Sequence, residues 1–99
     1  MSDFYNLCYQ LIKEIPVGRV TTYKIIAEKL NSRAYRAVGS AMNRNPLPFL
    51  APCHRVVNSN GLVGGYAFGA QAKILLLQSE GIIIKDKKIL NFEKLLFCF

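Results

Sequence analysis

Apolar residues recur at steps of three and four along the first part of the chain. From Asp3 onward they are Phe4, Leu7, Cys8, Leu11, Ile12 and Ile15. This spacing predicts a helix over residues 3–14 with one buried stripe. Pro16 and Gly18 follow directly and are expected to end the helix.

Two further helices are predicted close together. The segment "GRVTTYKIIAEKLN" contains two threonines suited to capping, followed by the apolar residues Ile25, Ile26 and Leu30. This pattern indicates a second helix of about two turns that ends near Asn31. The segment "AYRAVGSAMNRN" places Ala34, Val38, Ala41 and Met42 on one side of a third helix, and Arg36, Ser40 and Asn43 on another.

Only a few residues separate these two helices, so they form either a helix-turn-helix motif or an ordinary helical hairpin. Charge favours the first alternative. The basic residues Lys13, Arg19, Lys24, Lys29, Arg33, Arg36 and Arg44 face only two acids, Glu14 and Glu28, over the same stretch. Small residues at Ala37, Gly39, Ser40 and Ala41 allow a close approach of the third helix to DNA or to another helix.

The second half of the chain changes character. Three prolines in "NPLPFLAPCHRVV" forbid a regular helix and hold Asn45 and Leu47 extended, while "RVV" is either a short buried strand or the start of a turn. A glycine-rich loop follows, then a fourth helix, "AQAKILLLQSEG", closed by Gly81. The tail predicts a short β-hairpin about Asp86 and Lys87 and an amphipathic helix that ends in aromatic residues.

The composition limits the kinds of protein that this chain can be. The 99 residues are 52% hydrophobic and 19% charged, which is typical of one folded domain. No apolar run approaches a membrane span, and the first residues do not resemble a signal peptide, so we expect a cytoplasmic protein. Three widely spaced cysteines predict reduced thiols, with Cys8 and Cys98 serving only packing. A net charge of +7 favours a nucleic-acid partner.

The segment "PCHR" places the chain's single histidine directly after a cysteine. A metal site needs more ligands at characteristic spacing, and a redox pair needs a second nearby cysteine, so neither a metal nor another cofactor is expected. Cys53 is therefore either a buried structural residue or a nucleophile. In the second case His54 serves as base and Arg55 adds positive potential that favours the thiolate.

The stretch "RAVGSAMNRNPLPFLAPCHRVVNSNGLVGGYAFG", followed by "LLLQSEG", resembles the C-terminal catalytic domain of O6-alkylguanine-DNA alkyltransferases, the methylated-DNA–protein-cysteine methyltransferases. The resemblance runs from about Phe4 to Gly81. Together with the pattern it implies a mainly α fold: a single domain over residues 1–99 with a helix-turn-helix of winged-helix type, about five helices and a short C-terminal β-hairpin, without a separate N-terminal domain.

The resemblance also implies roles for individual residues. Cys53 would accept the alkyl group irreversibly, and His54, joined to Glu80 through a water molecule, would take the thiol proton. Asn45 would order the turn before the reactive loop. DNA would be bound in the minor groove through Tyr23, Arg36, Ala37, Gly39 and Ser40, with Arg36 filling the stack that the flipped base leaves. Tyr66, Val56 and Ala67 would line the base pocket, where bulky Phe68 is a departure.

Two alternatives stay open beside alkyl transfer. Alkyltransferase-like proteins bind O6-alkylguanine without transfer and recruit other repair factors, and a transcriptional helix-turn-helix protein is a more distant option. The expected partner is double-stranded DNA that contains O6-alkylguanine. The chain is expected to act as a monomer, and its apolar C-terminal residues leave room for a fused or partner domain.

Overall fold

The computed structural model describes residues 3–46 and 51–99. Its helices are α1 (Asp3–Ile12), α2 (Tyr23–Lys29), α3 (Tyr35–Asn43), α4 (Ala70–Ser79) and α5 (Phe92–Leu95). Its strands are β1 (Thr21–Thr22), β2 (Val56–Val57), β3 (Ile84–Lys85) and β4 (Lys88–Ile89), and a 3₁₀ turn spans Cys53–Arg55. The mainly α fold with a C-terminal hairpin is therefore confirmed. The predicted extended conformation of Leu47 lies outside the described residues.

Helices α2 and α3 form the expected closely joined pair. Thr22 caps α2, because its hydroxyl accepts a hydrogen bond from the Ile25 amide at 3.0 Å. Helix α3 buries Val38, Ala41 and Met42 against α1 and α2. Ala34 is exposed, in contrast to its predicted place on the buried side. The buried faces of the three helices form the larger of two hydrophobic clusters.

A short parallel pairing joins the two halves of the chain. Thr21 pairs with Val56 and Thr22 with Val57, so the two valines of "RVV" form a strand, while Arg55 ends the preceding 3₁₀ turn. Because the two strands are parallel, the start of α2 lies beside the residues that follow β2, and the 3₁₀ turn lies on the side of the residues that precede β1. The sheet thus sets the position of the reactive segment relative to the helix pair.

The C-terminal residues pack on the domain. Asp86 and Lys87 both have positive φ, as a two-residue hairpin turn requires, so the predicted hairpin is confirmed. Phe97 and Phe99 pack against the larger cluster, and the Arg19 guanidinium donates to the carbonyls of Leu95 and Leu96. These contacts cover much of the apolar tail.

The two remaining cysteines differ from each other. Cys8 is buried in the larger cluster, where desolvation raises its pKa to about 11, so its predicted packing role is confirmed. Cys98 is exposed, and the prediction that it serves packing is wrong, because the neighbouring Phe97 and Phe99 supply the apolar contacts instead. In the described parts of the chain, no helix is long and apolar enough to cross a bilayer.

Candidate active site

Cys53 lies at the start of the 3₁₀ turn, and only 2% of its surface is exposed. Burial raises the pKa of its thiol above the ordinary value. A hydrogen bond to the Asn45 side chain, the charge of Lys73 and a hydrogen bond from Tyr66 act in the opposite direction. The resting thiol is therefore protonated at neutral pH, in surroundings that already favour its anion.

Asn45 connects the end of α3 to this turn. Its side-chain Nδ2 donates to the carbonyl of Ala51 at 2.6 Å, and its side chain also bonds the Cys53 thiol. A single amide therefore bridges the two ends of the proline-rich segment and touches the sulfur. The predicted ordering role of Asn45 stays a prediction, and the structure adds a direct contact of its side chain with the thiol.

His54 contacts Glu80 directly. Its Nε2 lies 2.7 Å from Glu80 Oε2, so the expectation of a water molecule between them is wrong: the end of α4 packs close enough for direct contact. Burial lowers the pKa of His54, although the hydrogen bond and charge of Glu80 oppose the shift. The neutral ring must carry its proton on Nε2 to donate to the carboxylate, which leaves Nδ1 as the acceptor nitrogen.

Arg55 holds the same carboxylate from the other side. Its Nε donates to Glu80 Oε1 at 2.9 Å and its Nη2 to Oε2 at 2.8 Å, while Nη1 donates to the Ile15 carbonyl. Burial alone would raise the pKa of Glu80, but the hydrogen bonds from Arg55 and His54 outweigh it and lower the pKa. The network thus ties the segment after α1 and the reactive turn to the end of α4.

The predicted source of positive potential at the thiol is therefore wrong. Arg55 is directed at Glu80, and the cation that acts on Cys53 is Lys73, which sequence reasoning missed. Lys73 is fully buried on α4, and its Nζ donates to the Val56 carbonyl at 2.6 Å, the Gly65 carbonyl at 3.0 Å and the Tyr23 hydroxyl at 3.4 Å. Burial lowers its pKa to about 8. The helical spacing could have predicted this burial, because Lys73 lies four residues before the buried Leu77 and therefore on the same face of α4.

Tyr66 lies beside the thiol, and Phe68 lies beside Tyr66. The Tyr66 hydroxyl bonds Cys53, and its ring meets the Phe68 ring edge to face, with centroids 5.5 Å apart. Phe68 is 65% exposed, and Ala67 is exposed as well. Val56 is buried, and its carbonyl already accepts from Lys73. The structure thus brings Tyr66 to the thiol, places the Val56 carbonyl on Lys73 and leaves Ala67 facing solvent.

The residues expected to face DNA lie on α2 and α3. Tyr23 begins α2 and is half-buried, with a pKa raised to about 12 by burial and by Cys53. Arg36 is exposed, while Ala37 and Ser40 are half-buried. A Cβ added at Gly39 would meet no described neighbour within 4 Å, so no described part of the domain packs against this glycine. Close approach to another helix is therefore not seen at Gly39 within the described residues, and its approach to DNA stays a prediction.

These features define a class: a helix-turn-helix domain in which a cysteine-bearing turn packs against α1 and α4. The family model described as the 6-O-methylguanine DNA methyltransferase, DNA-binding domain, matches residues 3–82, and the chain belongs to this family. Among the described residues, no cluster of three His, Cys, Asp or Glu side chains could hold a metal ion.

Relatives and solved structures agree with this assignment. The methylated-DNA–protein-cysteine methyltransferase of Methanosarcina acetivorans is 46% identical over 81 residues, which are 81% of this chain and 52% of the relative. The O6-methylguanine-DNA methyltransferase of Pyrococcus kodakaraensis matches with a TM-score of 0.74 at 43% identity, over 82% of this chain and 47% of that one. The chain spans about half the length of such relatives.

A third similar structure matches over nearly the whole of both chains. The structure of S. pombe Atl1 in complex with damaged DNA containing O6-carboxymethylguanine matches with a TM-score of 0.81 at 31% identity. This match covers 98% of this chain and 96% of that chain. The similarity to Atl1 therefore includes the C-terminal residues that lie beyond the family model.

Proposed function

We propose that this protein binds double-stranded DNA containing an O6-alkylguanine and transfers the alkyl group to its own Cys53 in a single-turnover reaction. The observation that carries the proposal is the Cys53 thiol, hydrogen-bonded to Asn45 and Tyr66 and close to the buried cation of Lys73. The names of the relatives, methylated-DNA–protein-cysteine methyltransferases, support the same chemistry.

The reaction balances without a cofactor. The Cys53 sulfur forms a bond to the alkyl carbon while the bond from that carbon to guanine O6 breaks, and the electron pair of the broken bond stays on the base. The thiol proton is removed by His54 Nδ1, and overall one proton passes from the thiol to the guanine. The thioether that forms is not reversed, so each molecule reacts once.

Lys73 favours the thiolate at the moment of reaction. It places a positive charge near the sulfur, and burial strengthens such an interaction because solvent screens it less. The same ammonium fixes the Val56 carbonyl and the Tyr23 hydroxyl, which lie next to the proposed base pocket. We therefore add Lys73 to the functional residues of this site as a positioning and electrostatic group.

The base must leave the duplex to reach a sulfur that is 2% exposed. Extrusion costs a few kcal/mol, and Arg36 on α3 offsets it by filling the vacated stack. The small residues around Arg36 let α3 approach the minor groove, and Tyr23 presses on the phosphate beside the target. Most of the affinity then comes from phosphate contacts and falls steeply with salt.

Replacing Arg36 by alanine is expected to slow repair of O6-methylguanine in duplex DNA by at least about tenfold. The physical reason is that the state with the base extruded loses about 1.4 kcal/mol of stabilisation. Reaction with the free base should change little. Both rates are measured by alkyl transfer to the protein, with Arg33→Ala as a control that removes the same charge just before α3. Equal losses on duplex and free base would contradict the proposed role of Arg36.

A second function is supported by one observation. The Atl1 match covers nearly all of both chains, which favours a protein that binds O6-alkylguanine without transfer and recruits other repair factors. The intact Cys53 thiol favours transfer instead. Incubation with an O6-methylguanine duplex separates the two functions, because tight binding without any mass gain by the protein would support the second.

A further inference from the structure

The residues after the family match form a structural extension of the domain. The match ends at residue 82, and β3, β4 and α5 follow it. Strand β4 attaches to the segment after β2: Lys88 bridges Leu62 in antiparallel fashion, and the Ile89 amide donates to the Gly61 carbonyl at 3.0 Å. We call residues 83–99 the C-terminal extension.

The extension fixes a turn formed by residues 58–61. Inside the turn, the Gly61 amide donates to the Asn58 carbonyl and the Leu62 amide to Asn60 Oδ1. Gly61 has a φ of +86°, and a Cβ added to it would lie 3.3 Å from the ring of Phe92 on α5. The turn is thus held between β4 and α5, with Ser59 and Asn60 exposed at its tip.

Two clefts meet at this tip. One, of about 400 Å³, is bounded by Tyr23, Lys24 and Tyr35 of the helix-turn-helix and by residues 58–60. The other, of about 680 Å³, is lined by Ser59, Asn60 and residues 88–94 of the extension. Because both clefts share Ser59 and Asn60, they adjoin at the tip of the turn and together form a strip from the start of α2 to the extension.

The charge of the second cleft suits a polyanion. Lys88 and Lys94 line it with the amide of Asn91, and Glu93 is the acid that lies there. Four lysines and two acids make up the charged residues of the extension, in a chain of net charge +7. A DNA strand that contacts Tyr23 at one end of the strip would therefore meet further cationic and amide donors at the other end.

We propose that the C-terminal extension is part of the DNA-binding surface, and that Lys88 and Lys94 bind the sugar-phosphate backbone beyond the segment contacted by α2 and α3. This inference rests on the proposed function, since it assumes that the helix-turn-helix binds DNA. It assigns a binding role to residues that the family model does not include. An acidic peptide is the other occupant that this chemistry could accept.

The test compares Lys88→Ala/Lys94→Ala with Lys85→Ala/Lys87→Asn in the full chain. Both double variants remove two exposed lysines from the extension, but Lys85 and Lys87 do not line the second cleft. Asparagine is used at position 87 because it tolerates the positive φ found there. Binding to a fluorescent duplex of about 24 bp with one O6-methylguanine is measured over a range of salt concentrations.

Each lost phosphate contact should reduce the slope of log affinity against log salt by about 0.9, which weakens binding about eightfold per lysine at 0.1 M salt. Lys88→Ala/Lys94→Ala should show this loss and the control variant should not, while alkyl transfer from the free base stays unchanged for both. Equal losses in the two variants, or no loss in either, would overturn the inference. Failure of the wild-type chain to bind the duplex would instead overturn the proposed function as well.

Discussion

Replacing Cys53 by alanine is expected to abolish alkyl transfer completely while the affinity for a lesion-bearing duplex stays nearly unchanged. The sulfur is the atom that forms the new bond, and no neighbouring group of the turn can replace it. Binding depends instead on α2, α3 and the phosphate contacts, which lie outside this side chain. Transfer is measured with a duplex labelled on the alkyl group, and affinity by fluorescence anisotropy.

Cys98→Ala provides the matched control, because this exposed cysteine is expected to be dispensable. The control should transfer the label at the wild-type rate. Cys53→Ala itself removes one buried atom beyond Cβ and should cost about 1 kcal/mol of stability, which leaves the domain folded. Labelling of the Cys53→Ala variant would mean that the acceptor lies elsewhere and that the site is wrongly assigned.

Replacing Glu80 by alanine is expected to produce the largest loss of stability of any single change at the site. The substitution leaves the Arg55 guanidinium, whose side chain is only 14% exposed, without its carboxylate partner. Breaking such a pair costs about 3 kcal/mol. In a domain of this size that lowers Tm by about 12 °C or more. Thermal unfolding at pH 7 measures the change, with exposed Glu93→Ala as the control expected to be neutral.

The same variant should alter the dependence of stability on pH. The pKa of Glu80 is lowered from its ordinary 4.5, so its contribution is present above pH 4.5 and is lost as the pH falls through the lowered value. The pKa of His54 is lowered from 6.5, so acidification below 6.5 also destabilises the fold. The difference in stability between wild type and Glu80→Ala should therefore shrink below pH 4.5, as Glu80 itself becomes protonated. A constant difference down to pH 3 would contradict the assigned ion pair.

Local structure was the part of the fold that the sequence could predict. The helical periodicity of α1, the Thr22 cap of α2 and the hairpin turn at Asp86 and Lys87 all depend on residues close in the chain. Such features follow from the spacing of apolar side chains and from capping and turn preferences.

Long-range contacts explain what the sequence could not predict. Strands β1 and β2 have two residues each, and the pairing of Thr21 with Val56 arises only when distant segments meet. The same holds for the docking of Arg19 on the tail and for the turn of residues 58–61 that the extension holds. A two-residue strand carries no readable alternation, so only the tertiary structure defines it.

The candidate site shows the same division. The "PCHR" motif and its resemblance identified Cys53, His54, Asn45 and Glu80 as candidates. The sequence did not predict the charged groups that contact these candidates. Arg55 pairs with Glu80, and Lys73 supplies the charge at the Cys53 thiol. Lysine is usually exposed, so its burial here requires the three hydrogen bonds that only the folded chain provides.

The central claim is that the Cys53 sulfur removes the alkyl group from guanine, and intact and peptide mass spectrometry tests it most directly. The wild-type protein is incubated with an equimolar duplex that carries one O6-methylguanine. We expect every active molecule to gain the mass of one methyl group in place of one hydrogen, with the gain located on the peptide that contains Cys53. A protein that binds this duplex tightly and keeps its original mass would contradict the claim and identify a binding protein without transfer.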